Sequence, residues 1–154
     1  MAREAVDLVE LVEKRRGGAQ PAARLKLMHT ELTLQARRCL AEPALLISVM
    51  DNLYSNAVHY GAESGNIRIH SYRHGEQVRI DVANSGEPIP AAEKNMIFEP
   101  FYQGSHQRKG AVKGSGLGLS IARDCVRQMQ GELSLVDAPA GQVCFRITLP
   151  SAPE

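Results

Sequence analysis

Apolar residues recur at two different periods along this chain, and the changes of period divide it into elements. Between Leu45 and Tyr60 the sequence reads LLISVMDNLYSNAVHY. At about 100° per residue, Leu46, Val49, Met50, Leu53, Ala57 and Tyr60 fall on one stripe, which predicts a core-facing helix. Pro43 lies near its start, where a residue without an N–H is well placed, and Gly61 ends it. Asn52, Asn56 and His59 are spaced four and three apart, so they stack above one another along the edge of that stripe. A fully solvated polar face would lie nearer the opposite side. The row fits either the lip of a pocket or an ordinary solvated edge, because Asn is mostly exposed in proteins.

Elsewhere the period is two. Asn66 to Tyr72 and Gln77 to Ala83 alternate cleanly, with Ile67 and Ile69 on one face of the first and Val78, Ile80 and Val82 on one face of the second. RHGE, at Arg73 to Glu76, is a hairpin turn between them. Glu132 to Val136 and Gln142 to Leu149 form a second hairpin across Asp137 to Gly141. ARLKLMH, at Ala23 to His29, and Leu32 to Arg38 read as two further strands. Ala2 to Arg15 predicts a first helix, with Gly17 and Gly18 as its stop. Ala91 to Ile97 predicts a short helix. The stretch from Gly114 opens a helix through about Met129, which Gly131 ends. The strands come as hairpins, without strand–helix–strand alternation. An α+β fold follows, with a mixed or antiparallel sheet and helices on one face.

Composition narrows the function classes. The chain has 154 residues, is 44% hydrophobic and 23% charged, and carries a formal net charge of +1. That fits one domain with a real core, and no global field favours nucleic acid or a membrane surface. Cys39, Cys125 and Cys144 are odd in number and lack CxxC spacing, so they read as small core hydrophobes in a reducing compartment. No apolar run approaches the length of about 18 residues that a spanning helix needs.

The candidate chemistry lies in glycines. GSGLG, at Gly114 to Gly118, runs into a helix N-terminus, where free N–H groups and the helix dipole suit phosphate. Alone, such a run also fits a flexible turn before a helix. It is neither a Walker A loop nor a dinucleotide fingerprint, since no strand precedes it. Before it, Gly104 to Gly114 (GSHQRKGAVKG) is aperiodic with three glycines, the kind of long loop that is usually functional.

Four stretches in order are more specific. DNLYSNAVHYG (Asp51 to Gly61), VANSGEPIP (Val82 to Pro90), IFEPFYQGS (Ile97 to Ser105) and KGSGLGLSIA (Lys113 to Ala122) resemble the N box, first glycine box, F box and second glycine box of sensor histidine kinases. These belong to the superfamily of gyrase, Hsp90, histidine kinases and MutL. The resemblance spans about residues 3 to 150. It implies the Bergerat fold, a two-layer sandwich of a mixed, mostly antiparallel sheet with helices on one face and an ATP lid. Residues 1–20 would be a linker helix from an absent upstream domain, 21–150 the ATP-binding catalytic domain and 151–154 a tail.

The resemblance also implies the site. Asn52, Asn56 and His59 would form the catalytic set, with Asn56 as ligand of the Mg²⁺ that bridges the ATP phosphates. Tyr60 would lie near the nucleotide. Asn84 would accept a hydrogen bond from the adenine amino group, and Gly86 would let the backbone pass the base. Phe98 and Phe101 would anchor the lid, whose cations would be Arg108, Lys109 and Lys113. Gly114, Ser115, Gly116, Leu117 and Gly118 would cradle the phosphates. Three departures stand out: Asn84 replaces an Asp, Pro88 replaces a glycine, and His59 replaces a Lys or Arg. Hydrolytic members carry a general-base Glu at the position of Asn52, and Asp51 is off by one, which argues for transfer over hydrolysis. No stretch resembles the helical phosphoacceptor motif. The implied partners are a separate dimerisation and phosphoacceptor domain and a cognate response regulator, with no nucleic acid and no direct membrane contact. The implied location is the cytoplasmic part of an inner-membrane sensor kinase. An anti-sigma-factor-type serine kinase and a degenerate nucleotide-binding module are the alternatives.

Overall fold

The computed structural model describes residues 3–100, 102 and 118–153. The chain runs β1 (Glu4–Asp7), α1 (Leu8–Leu25), β2 (His29–Leu34), β3 (Arg38–Ala41), α2 (Pro43–Tyr60), β4 (Asn66–His74) and β5 (Gln77–Ser85). Two 3₁₀ turns follow, Ala91–Glu93 and Met96–Phe98, then α3 (Gly118–Gln128), β6 (Glu132–Val136) and β7 (Gln142–Pro150).

β2-β4-β5-β7-β6 form a mixed sheet in that order. β2 is parallel to β4, and the other three pairings are antiparallel. The strand alternation has the expected consequence. Ile67, Ile69, Val78, Ile80, Val82, Phe145, Ile147 and Leu149 turn inward and are buried in one core with α1, α2 and α3. The opposite row is mostly polar and partly exposed, apart from the buried pair Ala83 and Cys144. There Arg146 donates to Asp81 through Nε at 2.9 Å and Nη2 at 3.2 Å, and the Tyr72 hydroxyl donates to the same carboxylate at 3.2 Å. Helices cover one face only, so the α+β sandwich expected from the pattern is the fold observed.

α2 is the central helix of that core. Leu46, Val49, Met50, Leu53, Tyr54, Ala57 and Val58 are all buried along it. Its first turn is capped by the Glu42 carboxylate, which accepts from the Leu45 N–H at 3.0 Å, as an N-cap acceptor should. Tyr54 is buried against β2, where its hydroxyl meets Thr30 Oγ1 at 2.7 Å.

The N-terminal third differs from the sequence expectation. β1 precedes α1 and pairs with β3 in a separate two-stranded sheet. α1 does not stop at Gly17 and Gly18; it continues past them and past Pro21 to Leu25. Leu8, Leu11, Val12 and Ala23 are buried along one stripe, so core contacts at both ends outweigh a cost of about 1 kcal/mol per helical glycine. The alternation in Ala23 to His29 is not a strand. Leu25 and Leu27 are 87% and 71% exposed, and residues 26–28 form a turn with Leu27 at φ 58°. Leu32 to Arg38 is likewise broken. β2 ends at Leu34, and the N–H groups of Gln35 and Ala36 both bond the Ser71 carbonyl. Ala91 to Ile97 gives 3₁₀ turns because only Ile97 and Phe98 find the core there. α3 ends as expected, although the left-handed residue is Gln130 at φ 62°, not Gly131.

Candidate functional site

A cleft of about 70 Å³ opens beside the C-terminal half of α2. Asn56 and Tyr60 line it from the helix, and Asn84 from the end of β5. Glu87 and Ile89 come from the loop that follows, and Val143 and Phe145 from β7. Sheet register explains the last two, since Asn84 pairs with Val143 and Val82 with Phe145. The inward row of β7 therefore continues the surface that Asn84 begins.

Asn84 is 4% exposed, and its Nδ2 donates to the Ser85 carbonyl at 3.0 Å. That bond takes one of the two amide N–H groups and leaves Oδ1 as an acceptor. Gly86 runs close to the helix end. A Cβ there would lie 2.9 Å from the Tyr60 carbonyl oxygen and 3.1 Å from Asn84 Nδ2. Gly61 and Gly86 form a β-bridge, and the Gly86 N–H donates to the Gly141 carbonyl at 2.9 Å. Only a residue without a side chain permits this approach. Burial pushes the Tyr60 hydroxyl pKa up, so Tyr60 stays neutral.

The polar row of α2 is half-buried, as its edge position requires. Its three members go to different places. Asn52 lies one turn before the cleft, where its Oδ1 sits 3.5 Å from the position a Cβ on Gly118 would take. It thus faces the first residue of α3. Asn56 enters the cleft. His59 is not among the cleft-lining residues; its ring packs edge-on against Tyr60 at 4.5 Å. Asp51 points away, exposed, with its carboxylate 2.9 Å from Arg15 Nε.

Phe98 is also outside the cleft. It is buried, meets Phe145 edge-on at 6.1 Å, and lies 4.5 Å beneath the Arg123 guanidinium. It therefore touches the back of a cleft-lining ring. Arg123 is held in turn by Glu132 at 3.2 Å, which also accepts from Arg127. Phe101, Arg108, Lys109, Lys113, Gly114, Ser115, Gly116 and Leu117 lie outside the described residues.

Glu87, Ile89, Val143 and Phe145 were not singled out from the sequence. For the two strand residues the signal was present, as inward positions of a strand pairing with β5. Ile89 and Glu87 sat in a turn read for its glycine and prolines.

The cleft presents an apolar floor, an amide acceptor and, among its described lining residues, a single charge, Glu87, surroundings that suit the edge of a flat, neutral ring. One turn before Asn56 along α2, Asn52 faces Gly118 at the start of α3, whose positive dipole end suits an anion. Among the described residues no group of three or more His, Cys, Asp or Glu could hold a metal. A divalent cation would need oxygens from the ligand beside the Asn56 amide oxygen, a donor set that fits Mg²⁺. No described helix is long and apolar enough to cross a membrane.

A family model described as histidine kinase-, DNA gyrase B- and HSP90-like ATPase matches residues 41–153. The sensor histidine kinase GlrK of Escherichia coli (strain K12) is 66% identical over 149 residues, which cover 97% of this chain and 31% of GlrK. The chain thus spans less than a third of that relative's length. Among solved structures, the nucleotide-free catalytic domain of histidine kinase ThkA is similar over the full length of both chains, with 28% identity and a TM-score of 0.83. ThkA in complex with the response regulator protein TrrA is similar over 98% of this chain and 42% of that one, with 27% identity and a TM-score of 0.80.

Proposed function

Because the chain belongs to the family of histidine kinase-, DNA gyrase B- and HSP90-like ATPases, we propose that it is the ATP-binding catalytic domain of a sensor histidine kinase. It transfers the γ-phosphoryl group of ATP to a histidine of a separate dimerisation and phosphoacceptor domain. The imidazole nitrogen forms the new N–P bond, the bond from phosphorus to the β,γ-bridging oxygen breaks, and ADP leaves. The observation that carries this reading is the cleft, which Asn56 from α2 and Asn84 from the end of β5 line together.

In this reading adenine occupies the cleft, and Asn84 Oδ1 accepts from its exocyclic amine. Gly86 leaves room for the base, and Val143 and Phe145 support its face. The phosphates extend along the polar row toward Asn52 and Gly118. Asn56 would hold Mg²⁺ through its amide oxygen, and the metal would supply charge neutralisation to the phosphates, while Asn52 orients the phosphate end. Phosphoryl transfer needs this positioning and charge neutralisation more than covalent help. Arg108, Lys109, Lys113 and the glycine run Gly114 to Gly118 belong to the phosphate end. His59 packs against Tyr60, at the position where the resemblance implies a cation near the phosphates. Transfer is favoured over hydrolysis because Asn52 cannot act as a general base and Asp51 is committed to Arg15 outside the cleft. An upstream domain adjoins this one, whose own fold already includes β1 and α1, and a response regulator is the onward partner, as ThkA is found in complex with TrrA. The domain works on the cytoplasmic side, where ATP is supplied.

The test supplies the separated dimerisation and phosphoacceptor domain with this chain and γ-labelled Mg-ATP. Acid-labile, alkali-stable label on that domain is the expected result. Acid-stable phosphoserine on a partner protein would point instead to a serine kinase. Nucleotide binding without transfer to any acceptor would point to a degenerate module.

A further inference from the structure

The cleft is held in shape from behind by a residue that does not line it. α2 ends at Gly61, whose φ of −70° and ψ of 154° are extended. The helix therefore lacks the left-handed cap that commonly satisfies its last carbonyls. The Lys26 ammonium takes that place. Its Nζ donates to the carbonyls of Val58 at 2.8 Å, His59 at 3.0 Å and Gly61 at 2.7 Å. Three donors meet three acceptors, so the ammonium is fully used, and its charge sits at the negative end of the helix dipole. The Lys26 backbone is pinned as well, through its N–H to Ala23 and its carbonyl from the Ser64 N–H at 2.8 Å.

The groups that Lys26 binds flank the cleft. Tyr60 lies between His59 and Gly61, and Gly61 bridges Gly86. Ala62 N–H bonds the Ser85 carbonyl at 2.8 Å, and that carbonyl also accepts from Asn84 Nδ2. Tyr60 is thus bonded directly to the residues whose carbonyls one ammonium gathers, Gly86 is bridged to Gly61, and Asn84 follows through two hydrogen bonds that share the Ser85 carbonyl. Asn52 is distant from this arrangement. It lies six residues before Val58, about 9 Å along the helix, beside Gly118.

We infer that Lys26 is a positioning residue for the base end of the nucleotide site, setting the separation of Tyr60 from Asn84 and Gly86 through three helix-end carbonyls. This rests on the nucleotide reading above. A group remote from the chemistry can matter this much because sub-ångström misplacement of a site wall is enough to lose affinity. The effect is specific to the base, since the phosphate end is built elsewhere on the helix.

Calorimetric titration of the whole chain with Mg-ATP, adenosine and inorganic tripolyphosphate tests it, with Lys26→Met, Lys26→Gln and Lys26→Arg compared. For Lys26→Met we expect about tenfold weaker binding of Mg-ATP and adenosine alike, with tripolyphosphate binding unchanged. Arg, which keeps charge and donors, should retain most of the affinity, and Gln should fall between. Equal affinities for adenosine across the series would overturn the proposal. So would a loss confined to tripolyphosphate, which would mark a long-range charge effect. If Lys26→Met does not fold, the order of Arg and Gln decides in the same way. If the natural sequence bound no Mg-ATP, the nucleotide reading itself would fail, whatever the variants did.

Discussion

Replacing Asn84 by Asp separates the two tasks of this side chain. In the free protein its Nδ2 donates to the Ser85 carbonyl at 3.0 Å, and the residue is 4% exposed. The substitution puts an oxygen where the donor stood, so two acceptors face each other at a nearly buried position, and the Ser85 carbonyl keeps the Ala62 N–H as its remaining partner. Removing one partner of a buried hydrogen bond in this way costs about 1–3 kcal/mol. At about 2–4 °C per kcal/mol for a domain of this size, a loss near 2 kcal/mol lowers the melting temperature by about 4–8 °C. The loss depends on pH with a definite sign. Burial raises the pKa of the new carboxyl above its unfolded value of about 3.9, and the protonated form can donate to Ser85 as the amide does. The penalty is therefore absent below the unfolded pKa and grows as pH rises through the folded one. Measured against the natural sequence, the melting deficit should nearly vanish at about pH 4 and be full at about pH 8. Binding moves the other way. A charged acceptor strengthens the hydrogen bond to the adenine amine by about 1 kcal/mol, or about fivefold in Kd. Thermal melts at both pH values, with ATP and GTP titrations at the higher one, read both effects. An unchanged melting temperature at high pH, or an unchanged preference for ATP over GTP, would refute the reasoning.

Gly86→Ala should cost about 1–3 kcal/mol, because the new Cβ would stand 2.9 Å from the Tyr60 carbonyl; a variant that melts and binds ATP like the natural sequence contradicts the close approach. Asn56→Ala should weaken Mg-ATP binding by about tenfold or more and ATP binding in chelator much less, so equal losses in both titrations would remove Asn56 as a metal ligand. Glu132→Gln should matter only above the carboxylate range. Burial alone pushes the Glu132 pKa up, but hydrogen bonds from Arg127, the Leu133 N–H and Arg123 outweigh it and leave the pKa lowered. A lowered folded pKa gives stability that is present above the unfolded value and is lost as pH falls through the folded one. The variant's melting deficit should therefore be seen at neutral pH, disappear in acid, and stay below about 1 kcal/mol because the pair is half exposed.

Local pattern was enough wherever one face of an element alone meets the core. α2 was legible because its buried stripe is uninterrupted, and both hairpins because their inward rows are. It failed where distant contacts decide. Nothing local says that α1 should cross Gly17, Gly18 and Pro21, because the gain is the burial of Ala23 at the far end. Nothing local says that Glu4–Asp7 is a strand, because its partner is Arg38–Ala41. Leu25 and Leu27 alternate like strand residues yet face solvent. The turn that carries them is fixed by Lys26, whose role depends on carbonyls more than thirty residues away.

The site was legible to a different degree. The resemblance named Asn56, Tyr60 and Asn84, and all three line one cleft. It also named His59 and Phe98, which are not among the cleft-lining residues and pack against Tyr60 and Phe145. Spacing alone could not separate these cases. Asn52, Asn56 and His59 share one edge of α2, but they occupy about 10 Å of its length, and the neighbours change over that distance. At Asn52 the neighbour is the start of α3, at Asn56 the cleft, and at His59 an aromatic ring. The edge of the helix thus passes from a helix N-terminus that suits anions to a floor that suits an apolar ring. That is the polarity order of a nucleoside triphosphate read from phosphate to base. One row of residues can serve both ends because the sheet and α3 supply different surroundings to each turn of the same helix. Which member of the row touches the ligand is therefore decided by β5, β7 and α3, and not by the helix that carries it.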